Sequence, residues 1–149
     1  REREDGDEPD VAALNNLALA AAVRRLGGEL VLDLAGQEIK TTGQVSIYLF
    51  DDAGHALAFA RKLRAELASQ RVELRIGMDS GRVLLFELAP ETFDIAGSPV
   101  NLASKLAQDT GRFGVIQASA ATARLAGVSG RTATHQVPAG GVIIEVVEL

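Results

Sequence analysis

Between Ala53 and Met78 the spacing of apolar residues switches from a helical to a strand period, and this narrows the available folds more than any other feature. Ala53, Ala56, Leu57, Ala60, Leu63 and Leu67 fall on one helical face, while His55, Arg61, Lys62, Arg64 and Glu66 fill the others. Asp51 stands where such a helix takes its N-cap. Val72, Leu74, Ile76 and Met78 then alternate with Arg71, Glu73 and Arg75, the pattern of a half-buried strand. A helix with one apolar stripe and a strand with one apolar face must each cover that surface. The economical solution is a layer of helices on a sheet.

The rest of the chain repeats the theme. Val11 to Leu26 reads as a helix, with Asp10 as N-cap and Gly27-Gly28 as its stop. Glu29 to Gly36 is apolar apart from Glu29 and Asp33, and fits either a strand or a continued helix. Gln37 to Phe50 has the alternation of a hairpin, with Thr42-Gly43-Gln44 at its tip. Asp79-Ser80-Gly81 reads as a turn that returns Arg82 to Leu88 onto the preceding strand, and Ala89 to Ser98 as a loop. Pro99 opens a helix through Leu106, where its missing N–H costs nothing. Val115 to Ala118 is a short strand, Ser119 caps a short helix to Ala126, 127–141 is turn-rich, and Val142 to Val147 is a final strand. The order predicts one α+β domain, a mostly antiparallel sheet with helices packed on it, without repeat or linker.

Several function classes drop out on composition. Residues 1–10 hold two arginines against six carboxylates, which predicts a solvated acidic tail ahead of a domain over 11–149. The other 139 residues carry a formal charge of −1, with no Trp and one Tyr, so nucleic acid is not expected as a partner. The longest apolar run, Leu17 to Val23, has seven residues against the ~18 that span a bilayer. No membrane insertion is expected, and no signal peptide is visible. The absence of Cys removes disulfides and thiolate chemistry and fits a cytoplasmic setting. His55 and His135, the only histidines, are too far apart in sequence to suggest a metal cluster. The abundance of Ala, Leu, Val, Gly and Arg suggests a bacterial source of high GC content.

Three segments then act together. Gln37-Glu38-Ile39-Lys40-Thr41-Thr42-Gly43-Gln44 runs into Phe50; Leu74-Arg75-Ile76-Gly77-Met78-Asp79-Ser80-Gly81-Arg82-Val83 forms a strand–turn–strand pattern. Phe93-Asp94-Ile95-Ala96-Gly97-Ser98-Pro99-Val100-Asn101-Leu102-Ala103-Ser104-Lys105-Leu106 is the most specific of the three. In this order and spacing they resemble the class III adenylate/guanylate cyclase catalytic domain, over roughly Gln37 to Leu149. The resemblance implies a ferredoxin-like sandwich, a site shared across a dimer, and two divalent cations, Mg or Mn, held by aspartates. It also implies a Lys/Asp pair that reads the base and an Asn/Arg pair that orients the ribose and supports the transition state.

Residue by residue, Lys40 and Asp94 match the base-reading pair and Asn101 the ribose-orienting asparagine. Lys105 stands where the arginine is expected, and an ammonium cannot reproduce the planar bidentate fork. Gln44 stands where a metal-holding aspartate is expected; its amide offers one weak oxygen and no charge. The family's first strand, which carries the other metal aspartate and precedes two helices, is not identifiable. Leu30 to Gly36 resembles it locally, but three residues between Gly36 and Lys40 leave no room for helices, so Asp33 is a poor metal ligand. Each residue also has an ordinary reading. Lys40 is then a solvated strand residue, Gln44 a hairpin tip, Asp94 a turn cap and Asn101 a helix-start residue. The glycines at 43, 77, 81 and 97 would serve turn geometry.

The expectation is a cyclase homology domain that has lost metal ligands, with no cofactor assigned. It would act as a regulatory or dimerisation module in bacterial signalling, with a second copy or a cyclase-type or signalling domain as partner and with weak ATP binding. The alternative is an active or partner-completed adenylate/guanylate cyclase making cyclic nucleotide and pyrophosphate. A third reading is an unrelated ferredoxin-like ligand-binding module.

Overall fold

A computed structural model describes the backbone of residues 8–130 and 132–149, with side chains from 18 onward. The first helix, α1, spans Glu8–Asp33, so Glu8, Pro9 and Asp10 belong to it; the remainder of the expected acidic tail lies outside the described residues. It does not stop at Gly27-Gly28. A Cβ on Gly27 would overlap the Tyr48 hydroxyl and one on Gly28 would touch Glu38, so these glycines let α1 press against the following hairpin. The helix ends instead at Asp33, and Ala35, at a φ of 57°, turns the chain into the next strand. Leu30 to Asp33 is therefore helical, and the likeness of this stretch to a first strand is not realised.

The hairpin forms as expected from β1 (Gly36–Thr42) and β2 (Val45–Phe50), with Thr42 opposite Val45 across Gly43-Gln44. A register shift between Glu38 and Lys40 leaves Ile39 as a bulge. Helix α2 (Ala53–Ser69) is capped by Asp52 rather than Asp51. Asp52 has extended backbone, and its carboxylate accepts the His55 N–H at 2.8 Å. The α2 stripe is core: Phe59 lies 4.7 Å from the Tyr48 ring and 5.2 Å from Phe50, and Leu63 and Leu67 pack with Val31 of α1.

Only Arg75–Met78 of the alternating segment forms a strand, β3. Arg71, at φ 60°, and Val72 still belong to the exit from α2, with the Val72 N–H bonded back to Leu67. The returning hairpin does not exist. Instead β4 (Leu84–Ala89) pairs with β5 (Thr92–Ala96), inside the segment read as a loop. Pro90-Glu91 is the turn between them, with Glu91 at a positive φ of 61°. Helix α3 (Ser98–Gln108) follows, with Pro99 in its first turn, and leads to β6 (Val115–Ser119). Strand β3 pairs in parallel with β6, which requires a crossover of this length.

Short helix α4 (Ala120–Leu125), capped by Ser119, then β7 (Ala133–Ala139) and β8 (Val142–Glu148) complete the chain. The four-stranded sheet runs β3-β6-β8-β7, with every pair antiparallel except β3/β6. Strand β7 lies inside the stretch 127–141 that reads as turn-rich, and it contains Pro138. An edge strand tolerates that residue, since one side of its backbone bonds to nothing. Leu102 and Leu106 of α3 seal one face with Val137 and Val146, while Leu57 and Ala60 of α2 meet Ile116. The result is α+β, with helices packed on mostly antiparallel sheets. Among the described residues no helix is long and apolar enough to cross a membrane.

Candidate functional site

Strand β5 lies beside β1, and this neighbourhood joins two of the expected site residues directly. Lys40 Nζ is 2.7 Å from Asp94 Oδ1, with both side chains partly open to solvent. Asp94 also accepts the Ile95 N–H at 2.8 Å. The hydrogen bond from Lys40, followed by that from Ile95, holds the Asp94 carboxyl below the ordinary carboxylate range. The bulge at Ile39 sets the local register of Lys40, and the β4–β5 ladder, with Asp94 opposite Phe86, presents the acid.

Asn101 and Lys105 stand on α3, one helical turn apart and so on one face. Asn101 is exposed, and its N–H bonds to the Gly97 carbonyl in the first turn; Lys105 is half-buried. The φ of 141° at Gly97 makes the sharp junction between β5 and α3, so Asp94 and Asn101 flank one bend. Gln44 is exposed at the β1–β2 tip, and Asp33 ends α1. Gly77, read as a turn residue, lies within β3, where a Cβ would overlap the Ala103 carbonyl oxygen; its role is close packing of sheet on helix.

The residues present do not fit a pair of divalent cations. Among the described residues no three Asp, Glu or His side chains gather in a metal-holding group. Gln44 contributes an amide and Asp33 sits on a helix. Asp79, at the end of β3, is engaged: Ser119 Oγ donates to its Oδ1 at 2.6 Å and Thr122 Oγ1 at 3.2 Å. Ser80 Oγ lies 2.7 Å from Thr122 Oγ1. Sequence reading saw only a turn at Asp79 and a helix cap at Ser119. Nothing in their spacing, 40 residues apart, announces the network that ties β3 to α4.

A second feature also escaped sequence reading. A cleft of about 540 Å³ opens between β2 and β3, with α2 and α3 as its apolar wall. Gln44 touches its rim, whereas Lys40, Asp94, Asn101 and Lys105 lie outside it. Tyr48 of β2 is packed on Phe59 with its hydroxyl buried. Burial pushes that phenol above its usual value.

Residues 32–142 match the adenylate and guanylate cyclase catalytic domain. The chain belongs to this family. That sets aside the unrelated ligand-binding module. The cyclase fold is also seen in solved structures. An adenylate/guanylate cyclase/hydrolase from Silicibacter pomeroyi superimposes with a TM-score of 0.73 at 22% identity, covering 99% of this chain and 89% of that one. The non-canonical dimeric guanylyl cyclase domain of the RhoGC fusion protein from the aquatic fungus Blastocladiella emersonii gives 0.73 at 19%, over 90% and 82%. Adenylate cyclases from Trypanosoma brucei in their monomeric state give 0.72 at 15%, over 99% and 84%. Among curated proteins none matches the sequence.

Proposed function

We propose that this cyclase-family domain has lost the two-metal chemistry and serves as a regulatory or dimerisation module in bacterial signalling, working in the cytoplasm. The observation that carries this reading is Gln44, an exposed neutral amide at the position where a metal-holding carboxylate is expected. Cyclisation needs cations to activate the attacking hydroxyl and to offset charge on the departing pyrophosphate. Removing carboxylates from such a site costs several kcal/mol of transition-state stabilisation, and each ~1.36 kcal/mol is tenfold in rate. Lys105 in place of a forked guanidinium adds to the loss.

The second reading, a partner-completed cyclase converting ATP or GTP to cyclic nucleotide, draws its support from the survival of Lys40 and Asp94 on neighbouring strands. Turnover of purified chain with each nucleotide, with Mg²⁺ or Mn²⁺, separates the two. The expected result is no product above a Lys40→Ala control, and Gln44→Asp alone does not restore activity. Clear product formation by the unaltered chain overturns the proposal. A base that binds between Lys40 and Asp94 must open their ion pair. ATP is accordingly expected to bind no tighter than a Kd of about 100 μM, ~−5.5 kcal/mol, by calorimetry.

A further inference from the structure

The β4–β5 hairpin leaves and rejoins the body through two glycines. Gly81 precedes β4 at a φ of 150°, and Gly97 follows β5 at 141°, backbone conformations that strain any residue with a Cβ. A Cβ on Gly97 would lie 3.1 Å from the Arg82 carbonyl oxygen, and one on Gly81 2.9 Å from Pro99 Cγ. The two roots of the hairpin therefore meet beside the start of α3. Between them the hairpin is lightly attached. Strands β4 and β5 form a sheet of their own, every residue of β4 is exposed, and only β5 makes substantial contact with β1 and α3. Ile95 is buried two residues from Gly97, at the pivot. Among the described residues, Lys40–Asp94 is the one ion pair or side-chain hydrogen bond that joins residues 82–96 to the body.

We propose that the β4–β5 hairpin is a hinged arm which the Lys40–Asp94 pair latches to β1, and that a nucleobase occupying this pair releases it. The release rests on the reading of Lys40 and Asp94 as base-binding residues, and it gives that pair a use without turnover. A base edge that accepts from the Lys40 ammonium and donates to the Asp94 carboxylate stands between two groups now 2.7 Å apart. The Lys40 side chain is 41% exposed and that of Asp94 28%, so the latch is weak enough for a ligand to break.

The ladder itself survives release, because its backbone bonds run between β4 and β5. The arm then moves as a unit about Gly81 and Gly97. Asp94 lies three residues from Gly97, ~10 Å at ~3.3 Å per residue, and Glu91 at the tip lies six residues away, ~20 Å. A displacement at the latch is therefore about doubled at the tip. The exposed side chains of Leu84, Phe86 and Leu88 ride on this arm, so the state of the latch sets where that apolar cluster is held.

The chain has no Cys, so two introduced thiols carry spin labels without background. Arg61→Cys on α2 and Glu87→Cys on β4 are exposed positions, and the distance between their labels reads the arm against the body. With the latch unaltered, one narrow distance distribution is expected. Lys40→Glu, which sets two carboxylates face to face, should widen it or add a second distance. Lys40→Glu with Asp94→Lys, which reverses the pair, should restore the narrow one. Amide exchange within β4–β5 should stay as slow in Lys40→Glu as in the unaltered latch. ATP, raised until calorimetry shows saturation, should widen the distribution of the unaltered latch. If Lys40→Glu fails to fold, Asp94→Asn and added salt open the same latch. A distribution that stays narrow when the latch is broken, or loss of ladder protection on release, overturns the hinged arm. ATP that binds and leaves the distribution narrow overturns release by a base. ATP that does not bind overturns the base-reading role, a failure distinct from that of the latch, which Lys40→Glu decides alone.

Discussion

Hairpins β1–β2 and β4–β5 each carry a strand-forming run, Val45–Phe50 in one and Leu84–Ala89 in the other, yet every residue of the first run is half-buried and every residue of the second exposed. The cause lies outside the hairpins. Tyr48 and Phe50 find Phe59 and the α1–α2 core behind them, whereas Leu84, Leu85, Phe86 and Leu88 find only β5 across the ladder. The second hairpin is attached through buried Ile95 and through the Lys40–Asp94 pair. Equal strand propensity thus yields a structural hairpin in one place and an apolar arm in the other. A cluster of exposed apolar side chains on a rigid ladder is what an interface needs.

The sharpest way to break this contrast is truncation of one aromatic on each side. Phe59→Ala should cost about 3–5 kcal/mol, the range for a buried Phe, and lower the urea midpoint accordingly. Phe86→Ala should cost less than about 1 kcal/mol in the same measurement. Comparable losses would show that the arm is packed in solution.

Smaller in energy, and specific to the arm, is the expected effect of Leu84→Ser with Leu88→Ser. Under the proposed dimerisation role the chain associates weakly, with a Kd near or below about 100 μM. The double variant should raise that Kd at least tenfold, ~1.4 kcal/mol, while stability stays within about 0.5 kcal/mol. Sedimentation across a concentration series reads both species. A strictly monomeric unaltered chain up to about 100 μM ends the dimer proposal.

The smallest effect concerns the pair that links the hairpins. Because Asp94 is held below its ordinary pKa by Lys40 and Ile95, the folded state binds its proton less readily than the unfolded chain. Its contribution is therefore present above the ordinary carboxylate range and fades as pH falls through and below it. Asp94→Asn should lower the urea midpoint slightly at neutral pH, with the difference from the unaltered chain vanishing in acid. Both side chains are partly solvated, so added salt should shrink it as well. A difference that grows in acid would contradict the sign.

Helix α2, helix α3 from Pro99, the β1–β2 hairpin, β6 with its Ser119-capped α4, and β8 were all legible in the sequence. Each rests on a local rule: an apolar stripe, a proline at a first turn, a hydroxyl cap, a β-branched run. The Lys40–Asp94 pairing was legible only through the resemblance, since the two residues are 54 positions apart. The pairing of β3 was not legible at all. Alternation marks Arg71 to Met78 as strand-like but says nothing about whether its partner is the next strand or one beyond a helix.

What the sequence alone determined is thus the class of the domain and the family, because periodicity and short motifs are properties of neighbouring residues. Only the tertiary structure decided that Gly27 and Gly77 serve close packing and not chain termination or turns, that Asp79 answers to Ser119 and Thr122, and that β3 takes β6 beyond a helix as its partner. Those outcomes depend on which surfaces meet after the chain has closed on itself. A glycine, an aspartate or a strand edge has the same local signature whether its space is filled by solvent, by a helix or by another strand.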